Sequence, residues 1–318
     1  MLPPSGKDLP HNKESMKFVV WKSAFWLCLL AGSTSLWAAT PIATVTIADG
    51  EAVLLRDASR LQLAEGVRLV KDDIVETTAK GRLVRIEFSD GVILDLGPES
   101  RALLAPKLTG DRASLPARLH LLRGAAKLTV PQTSPPITAF TSASFDVNNI
   151  ARSAVFVLKA DQAAAFAESG EVALQERRAG KPAGSFTLKG GEFFARAGDG
   201  KAAVTARPTP AFIQQLPRPF LDTLPPRAAL FKAREVEPKL LGEISFADAE
   251  AWIDAEGFRS QFAVRWKALA QNPAFRSGLI ANLSAHPEWD RTLYPEKYQP
   301  KPASAPASQA GVRSGNKP

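Results

Sequence analysis

Catalysis needs nucleophiles, acids and bases within reach of one another, and this chain supplies few of them. Beyond the first 38 residues it holds two histidines, His120 and His286, and no cysteine; Cys28 lies within those 38. A catalytic zinc would require both histidines and a carboxylate. The two fall in different parts of the chain. His120 sits between Leu119 and Leu121 in a strand-like run and is expected to face solvent, while His286 stands beside Pro287 at a helix end and suits a structural cap. A Ser-His-Asp triad needs its serine on a sharp turn, and no Gly-x-Ser-x-Gly occurs. Lys189–Gly191 is no phosphate loop, because Gly-x-x-x-x-Gly-Lys-Ser/Thr is absent, and so is an Asp-x-Asp-x-Asp-Gly calcium loop. The remaining acid–base candidates are Asp72–Asp73, which reads as a turn, and Asp248, Glu250 and Asp254, which read as ordinary helix acids. The expectation is a protein that is not an enzyme, with no cofactor, no metal and no assignable binding residue.

The elements around these residues begin with a leader. Lys17 and Lys22 follow Met16 as a positive segment, Ser23–Gly32 is a short apolar core, and Ser33–Ala39 is a small-residue cleavage region with the cut expected after Ala38. The apolar run is short for a membrane-spanning helix of about 20 residues, so an uncleaved anchor is the secondary reading. Met16 is an alternative start. Phe25-Trp26-Leu27 before Cys28 lacks the small residues that lipidation requires. Periplasmic localisation follows, and the secreted chain would have no disulfide. Of 318 residues, 45% are hydrophobic and 23% charged, an ordinary globular balance. The net charge is +8; residues 1–38 carry four basic and two acidic side chains, leaving +6 beyond them. That excess is scattered, with Arg177–Arg178 its nearest approach to a run, so nucleic-acid binding is not expected. Weak attraction to anionic glycans or a membrane surface is compatible with the charge.

Residues 39–130 read as short β-strands. Thr44–Ile47 and Glu51–Arg56 flank Asp49–Gly50, a favoured hairpin turn. Leu61–Leu63, Val67–Leu69 and Ile74–Thr77 are further strands. In a hairpin over Arg82–Leu96, turning at Asp90–Gly91, Val84, Ile86 and Phe88 share one face with Val92, Leu94 and Leu96. Arg85, Glu87 and Asp95 fall on the opposite face, expected to be the wetter one. Another hairpin is predicted over Leu119–Val130 with its turn at Arg123–Gly124. A second β region over 131–205 continues the fold, including Ala163–Ala167 as extended chain. Gly-Glu opens a strand at Gly50–Glu51, Gly170–Glu171 and Gly191–Glu192, a pairing that suits a turn exit.

The prolines of 206–226 predict a strap or linker, running to 242, that is neither helix nor central strand, with Phe212 and Phe220 pinning it to the β-core. Helical spacing follows over 243–295. Ser245 and Asp248 form a capping-box variant before a helix over Phe246–Ala255. Phe258, Phe262, Trp266 and Leu269 mark a second helix, and Phe275, Leu279 and Leu283 a third, with Trp289, Leu293 and Tyr294 closing an apolar set that predicts the core of a small helical domain. Residues 296–318 are Pro/Ala/Ser-rich and expected to be disordered.

The order of these features resembles the FecR-like domain of bacterial envelope proteins. It is carried by Gly50, Val53 and Arg56; Gly66 and Leu69; Asp73, Ile74 and Thr77; Phe88, Asp90, Gly91, Leu94, Leu96, Pro98 and Ser100; and Leu121 and Gly124. Thr138–Leu158 lacks the Arg-Gly-Thr segment common in that family, and residues 1–15 are too short for the cytoplasmic sigma-binding segment of its iron-dicitrate regulators. The resemblance therefore implies only the periplasmic part. The segment around His286–Trp289 is similar to the tail of some secreted FecR-like proteins. The expected fold class is mainly β, a roll or sandwich of short strands, with a small α-helical C-terminal domain. The expected role is a non-catalytic module that binds another envelope protein, in signalling or envelope assembly. A peptidoglycan- or polysaccharide-binding module and an envelope glycan-acting enzyme are the alternatives.

Overall fold

The computed structural model describes residues 39–133 and 140–299; the expected leader, and the expected tail from residue 300, lie outside the described residues. The first β half contains Ala43–Asp49 (β1), Ala52–Arg56 (β2), Ser59–Gln62 (β3), Arg68–Leu69 (β4), Ile74–Thr77 (β5), Leu83–Phe88 (β6), Ile93–Leu96 (β7), Arg101–Leu104 (β8) and Leu119–Thr129 (β9). The second contains Phe140–Thr141 (β10), Phe145–Ile150 (β11), Ser153–Lys159 (β12), Gln162–Ser169 (β13), Val172–Arg178 (β14), Lys181–Leu188 (β15), Phe193–Ala197 (β16) and Ala203–Thr205 (β17). Lys239–Glu243 (β18) and the helices Pro210–Gln215 (α1), Phe246–Ile253 (α2), Arg259–Arg265 (α3), Pro273–Ala281 (α4) and Asp290–Leu293 (α5) complete the regular structure.

The strands form a mainly antiparallel sandwich of two sheets. Sheet I runs β4–β1–β6–β7–β9–β12–β13–β16–β17. Sheet II runs β18–β3–β2–β5–β8–β9–β10–β11–β14–β15, with β9–β10 its parallel pair. β9 belongs to both. Its first half pairs Leu119 with Leu104 and Arg123 with Arg101 in sheet II, and its second pairs Gly124 with Leu158 and Thr129 with Ser153 in sheet I. The hairpin expected at Arg123–Gly124 is therefore absent. Gly124 has φ +102°, and it bends the strand from one sheet into the other instead of reversing it. The hairpin expected across Asp49–Gly50 is likewise replaced by a crossing. β1 pairs with β6 and β4 in sheet I, and β2 with β3 and β5 in sheet II. The Asp90–Gly91 hairpin forms as expected, with Val84 opposite Leu96 and Ile86 opposite Leu94.

Period-2 alternation sends one set of side chains between the sheets and the other outward. Val45, Ile86, Leu94 and Phe156 from sheet I meet Leu54, Val75, Leu104 and Phe145 from sheet II in the central core. Phe140 stacks on Phe156 across it, with ring centroids 4.3 Å apart. Part of each outward face is covered in turn. On sheet II, Val53, Leu55, Ile74 and Leu103 lie under Trp252, Phe258, Phe262, Trp266 and Leu279 in one continuous cluster. The helical aromatics thus form a core, as their spacing predicts, and strands supply part of it. α2 carries the predicted capping box, with Asp248 N–H donating to Ser245 Oγ and Ser245 N–H to Asp248 Oδ2.

On sheet I, Leu83, Val155, Val157 and Phe193 lie under Phe212, Leu216 and Phe220 of the proline-rich strap. The two phenylalanines pin the strap as predicted, each contributing roughly 1.5–3 kcal/mol of burial. The strap departs from expectation in containing α1. Pro210 occupies the first turn of that helix, where its missing N–H costs nothing, and Thr209 caps it through Phe212 N–H. The segment also ends in β18. Chain order continues slightly past the residue where disorder was expected: Pro295–Tyr298 form a 3-10 turn, held by Tyr298 and Lys297 on Asp290.

Candidate functional site

Of the described residues singled out for chemistry, the structure joins the side chains of His286 and Asp254 and of no other pair. His120 is 2% exposed, not solvent-facing as expected. Its strand is roofed by the helical layer, so the imidazole lies edge-on to Phe258 at 4.7 Å, with Nδ1 3.1 Å from Thr141 Oγ1. His286 stands at the start of the 3-10 turn Pro287–Trp289, with Nδ1 3.1 Å from Asp254 Oδ1 and Nε2 3.1 Å from the Leu279 carbonyl. Asp73 takes a bidentate pair of bonds from Arg56, at 2.8 and 2.7 Å, and one from Val70 N–H. Asp72 is the turn residue, at φ +66°. Asp248 serves the capping box and pairs with Arg60 at 3.3 Å, and Glu250 is exposed. Lys189–Gly191 is a turn in which Lys189 N–H donates to Glu192. Among the described residues, no three His, Cys, Asp or Glu side chains are placed to hold a metal ion together, and no helix is long and apolar enough to cross a membrane.

Burial pushes the His120 imidazole down to about pH 3 from 6.5, and the nearby Arg112 guanidinium adds to the effect. Folding therefore favours the neutral ring. Stability from this site is complete above pH 6.5 and falls as pH drops, because the unfolded chain binds a proton that the folded one refuses. The loss between pH 7.5 and pH 5 is about 2 kcal/mol. In His120→Gln protein, chemical denaturation at the two pH values should show that much less acid sensitivity. An unchanged pH difference would refute this.

Arg85, Glu87 and Asp95, expected on the wetter face, are 4%, 4% and 2% exposed. The strap covers them, and they bind it. Arg85 holds Asp95 bidentately, at 2.7 and 2.8 Å, and donates to the Leu224 carbonyl. Glu87 accepts from Thr46 Oγ1 and from the backbone N–H groups of Arg227 and Ala228, at the head of a 3-10 turn over Ala228–Phe231. Lys127 bonds Glu168 and the Phe220 carbonyl. These buried ionic groups are satisfied by the strap's own backbone, which is what makes their burial tolerable.

With the helical layer and the strap covering part of each broad face, the edges and clefts are the other features of the surface. β15, β17 and β18 each pair on one side only among the described residues. β15 carries Pro182 and Gly184, which suit a blunted edge, and β17 is three residues long. β18 differs. Its sequence is Lys-Leu-Leu-Gly-Glu, with Leu240 63% and Leu241 45% exposed. A cleft of about 540 Å³ lies at the bend of β9, lined by Leu122, Arg123, Lys159, Gln215 and Pro217 among others. A second, of about 430 Å³, lies among α3, α4 and α5. Neither cleft is legible in the chain: the first joins segments from Pro98 to Pro217, and the second depends on how the short helices within residues 264–292 pack on one another.

No protein-family model matches the chain, and no curated protein matches it. Two solved structures of a candidate anti-sigma factor from Parabacteroides distasonis, at 2.50 and 1.65 Å resolution, are similar to it at 15% identity with a TM-score of 0.33. The alignment covers 42% of this chain and 59% of that one, so the chain spans about three-fifths of the length of the protein it matches.

Proposed function

We propose that this chain is a non-catalytic, FecR-like module of the bacterial periplasm that binds another envelope protein through the free edge of β18. The observation that carries this reading is the pair of exposed leucines on an edge strand whose outer backbone groups have no partner among the described residues. A partner strand added there would gain main-chain hydrogen bonds and bury Leu240 and Leu241 at once. Most edges are blunted against such pairing, and this one carries Lys239 and Glu243 only at its ends. The order of FecR-like features from Gly50 to Gly124 supports the family and setting.

The glycan-binding alternative asks for an exposed aromatic platform beside basic side chains. Tyr298 is the exposed large aromatic among the described residues, and the Arg291 guanidinium already lies 5.4 Å from its ring centroid. The edge reading is therefore preferred. It is tested with a photo-crosslinking side chain at Leu241 in intact cells, compared with the same probe at Ser185 on β15. One envelope protein captured saturably at Leu241 and lost in a Leu240→Lys variant is the expected result. Identical capture from both positions, or none, would sink the proposal.

A further inference from the structure

From Gly257 to Pro287 the chain carries Arg259, Arg265, Lys267 and Arg276 and not one Asp or Glu. Three of these four cations line the same concavity, the cleft of about 430 Å³ among α3, α4 and α5, whose wall contains no acidic residue. None of the three belongs to an ion pair among the described residues.

Two of the guanidinium groups are held in place. Arg265 donates to the Asp72 carbonyl at 2.6 Å and to the Leu55 carbonyl at 3.4 Å, with the Asp72, Asp57 and Asp73 carboxylates near enough to offset part of its charge, and lies 5.7 Å from the Trp266 ring centroid, while Arg276 donates to the Leu293 carbonyl. A guanidinium has five N–H donors, so Arg276, with its single bond, keeps most of them, while both terminal nitrogens of Arg265 are already engaged. Lys267 is exposed and can swing to meet a ligand. Gln271 and Thr292 add neutral polar groups, and Val264, 78% exposed, adds an apolar rim. Fixed planar donors with a mobile ammonium are the combination that recognises multi-oxygen anions, phosphate above all.

We propose that this cleft is a binding site for a phosphate-bearing ligand, either a soluble phosphorylated compound or a phospholipid headgroup. It is separate from the β18 edge and does not depend on it.

The purified protein is titrated calorimetrically with inorganic pyrophosphate, and sedimented with phosphatidylcholine vesicles with and without phosphatidylglycerol. Saturable binding that weakens as salt is raised is expected. The Lys267→Glu/Arg276→Gln double variant should weaken it at least about tenfold. The Lys181→Glu/Lys189→Gln variant, which changes the net charge equally on exposed positions of β15 and its turn, should not. Should the first double variant fold poorly by thermal melting, Lys267→Glu alone, at an exposed position, carries the test with a loss of about threefold or more. Binding of pyrophosphate alone identifies a soluble ligand, and binding of the anionic vesicles identifies a headgroup. No saturable binding to either probe, or equal weakening by the control variant, overturns the proposal.

Discussion

Gly124→Ala is expected to destabilise the fold by at least about 3 kcal/mol. Gly124 lies where β9 leaves sheet II for sheet I, at φ +102°. A methyl group there would overlap the Cα, Cβ and Oγ of Ser100. Ser100 cannot retreat easily, because it is fully buried and its Oγ both donates to the Ala125 carbonyl and accepts from Ala125 N–H, each at 3.0 Å. The clash is with backbone as well as side chain, so relief requires the strands to part. Gly198→Ala is the control. Gly198 also has positive φ, at +45°, but nothing lies within 4 Å of the added carbon. The cost there should be only the left-handed penalty of about 1–2 kcal/mol. Guanidinium denaturation of the two variants checks this, and equal losses would show that the bend does not depend on the Ser100 contact.

Trp252→Ala should cost about 3–5 kcal/mol. Trp252 is fully buried in the cluster that joins the helices to sheet II. Its indole N–H donates to Glu76 Oε1 on β5 at 2.7 Å, leaving Arg101, 3.5 Å away, as the other close partner of that carboxylate. Removing the ring opens a cavity and strips Glu76 together. Trp252→Phe separates the two effects, keeping most of the volume and losing the bond, for about 1–3 kcal/mol. Burial already pushes the Glu76 carboxyl above its ordinary range, opposed by Arg101 and Trp252. Without the indole it rises further, so the folded variant takes up a proton that the unfolded chain at the same pH does not. The Trp252→Phe penalty should therefore shrink as pH falls through that raised value. Denaturation of both variants at pH 7.5 and 5 checks this. A penalty that grows at acid pH would contradict the assigned role of Glu76.

Local features of the sequence proved sufficient for local structure. The alternation of Val84, Ile86 and Phe88 against Val92, Leu94 and Leu96 specifies a hairpin because Asp90–Gly91 supplies its turn without help from distant residues. The Ser245–Asp248 box starts α2 for the same reason. Phe212 and Phe220 marked the strap's anchors because a proline-rich segment has little else to bury. Hydrophobic spacing from Phe246 to Leu293 likewise identified the helices that carry the cationic cleft, although not the cleft itself.

What only the tertiary structure decided is which outward faces stay wet and where edges end. Period-2 alternation places Arg85, Glu87, Asp95 and His120 on particular faces, but whether water or another segment meets them depends on residues about 100 or more positions away. The strap reaches Arg85 from Leu224, and the helical layer reaches His120 from Phe258. Gly124 shows the same limit within one strand. A glycine at positive φ serves a reversal or a bend equally well, and the choice lies with the partners, β8 on one half of β9 and β12 on the other. The exposed β18 edge arises from that same long-range packing, through its pairing with β3, whereas the cleft lined by Arg265, Lys267 and Arg276 lies wholly within residues 264–292 and depends on how those short helices pack on one another.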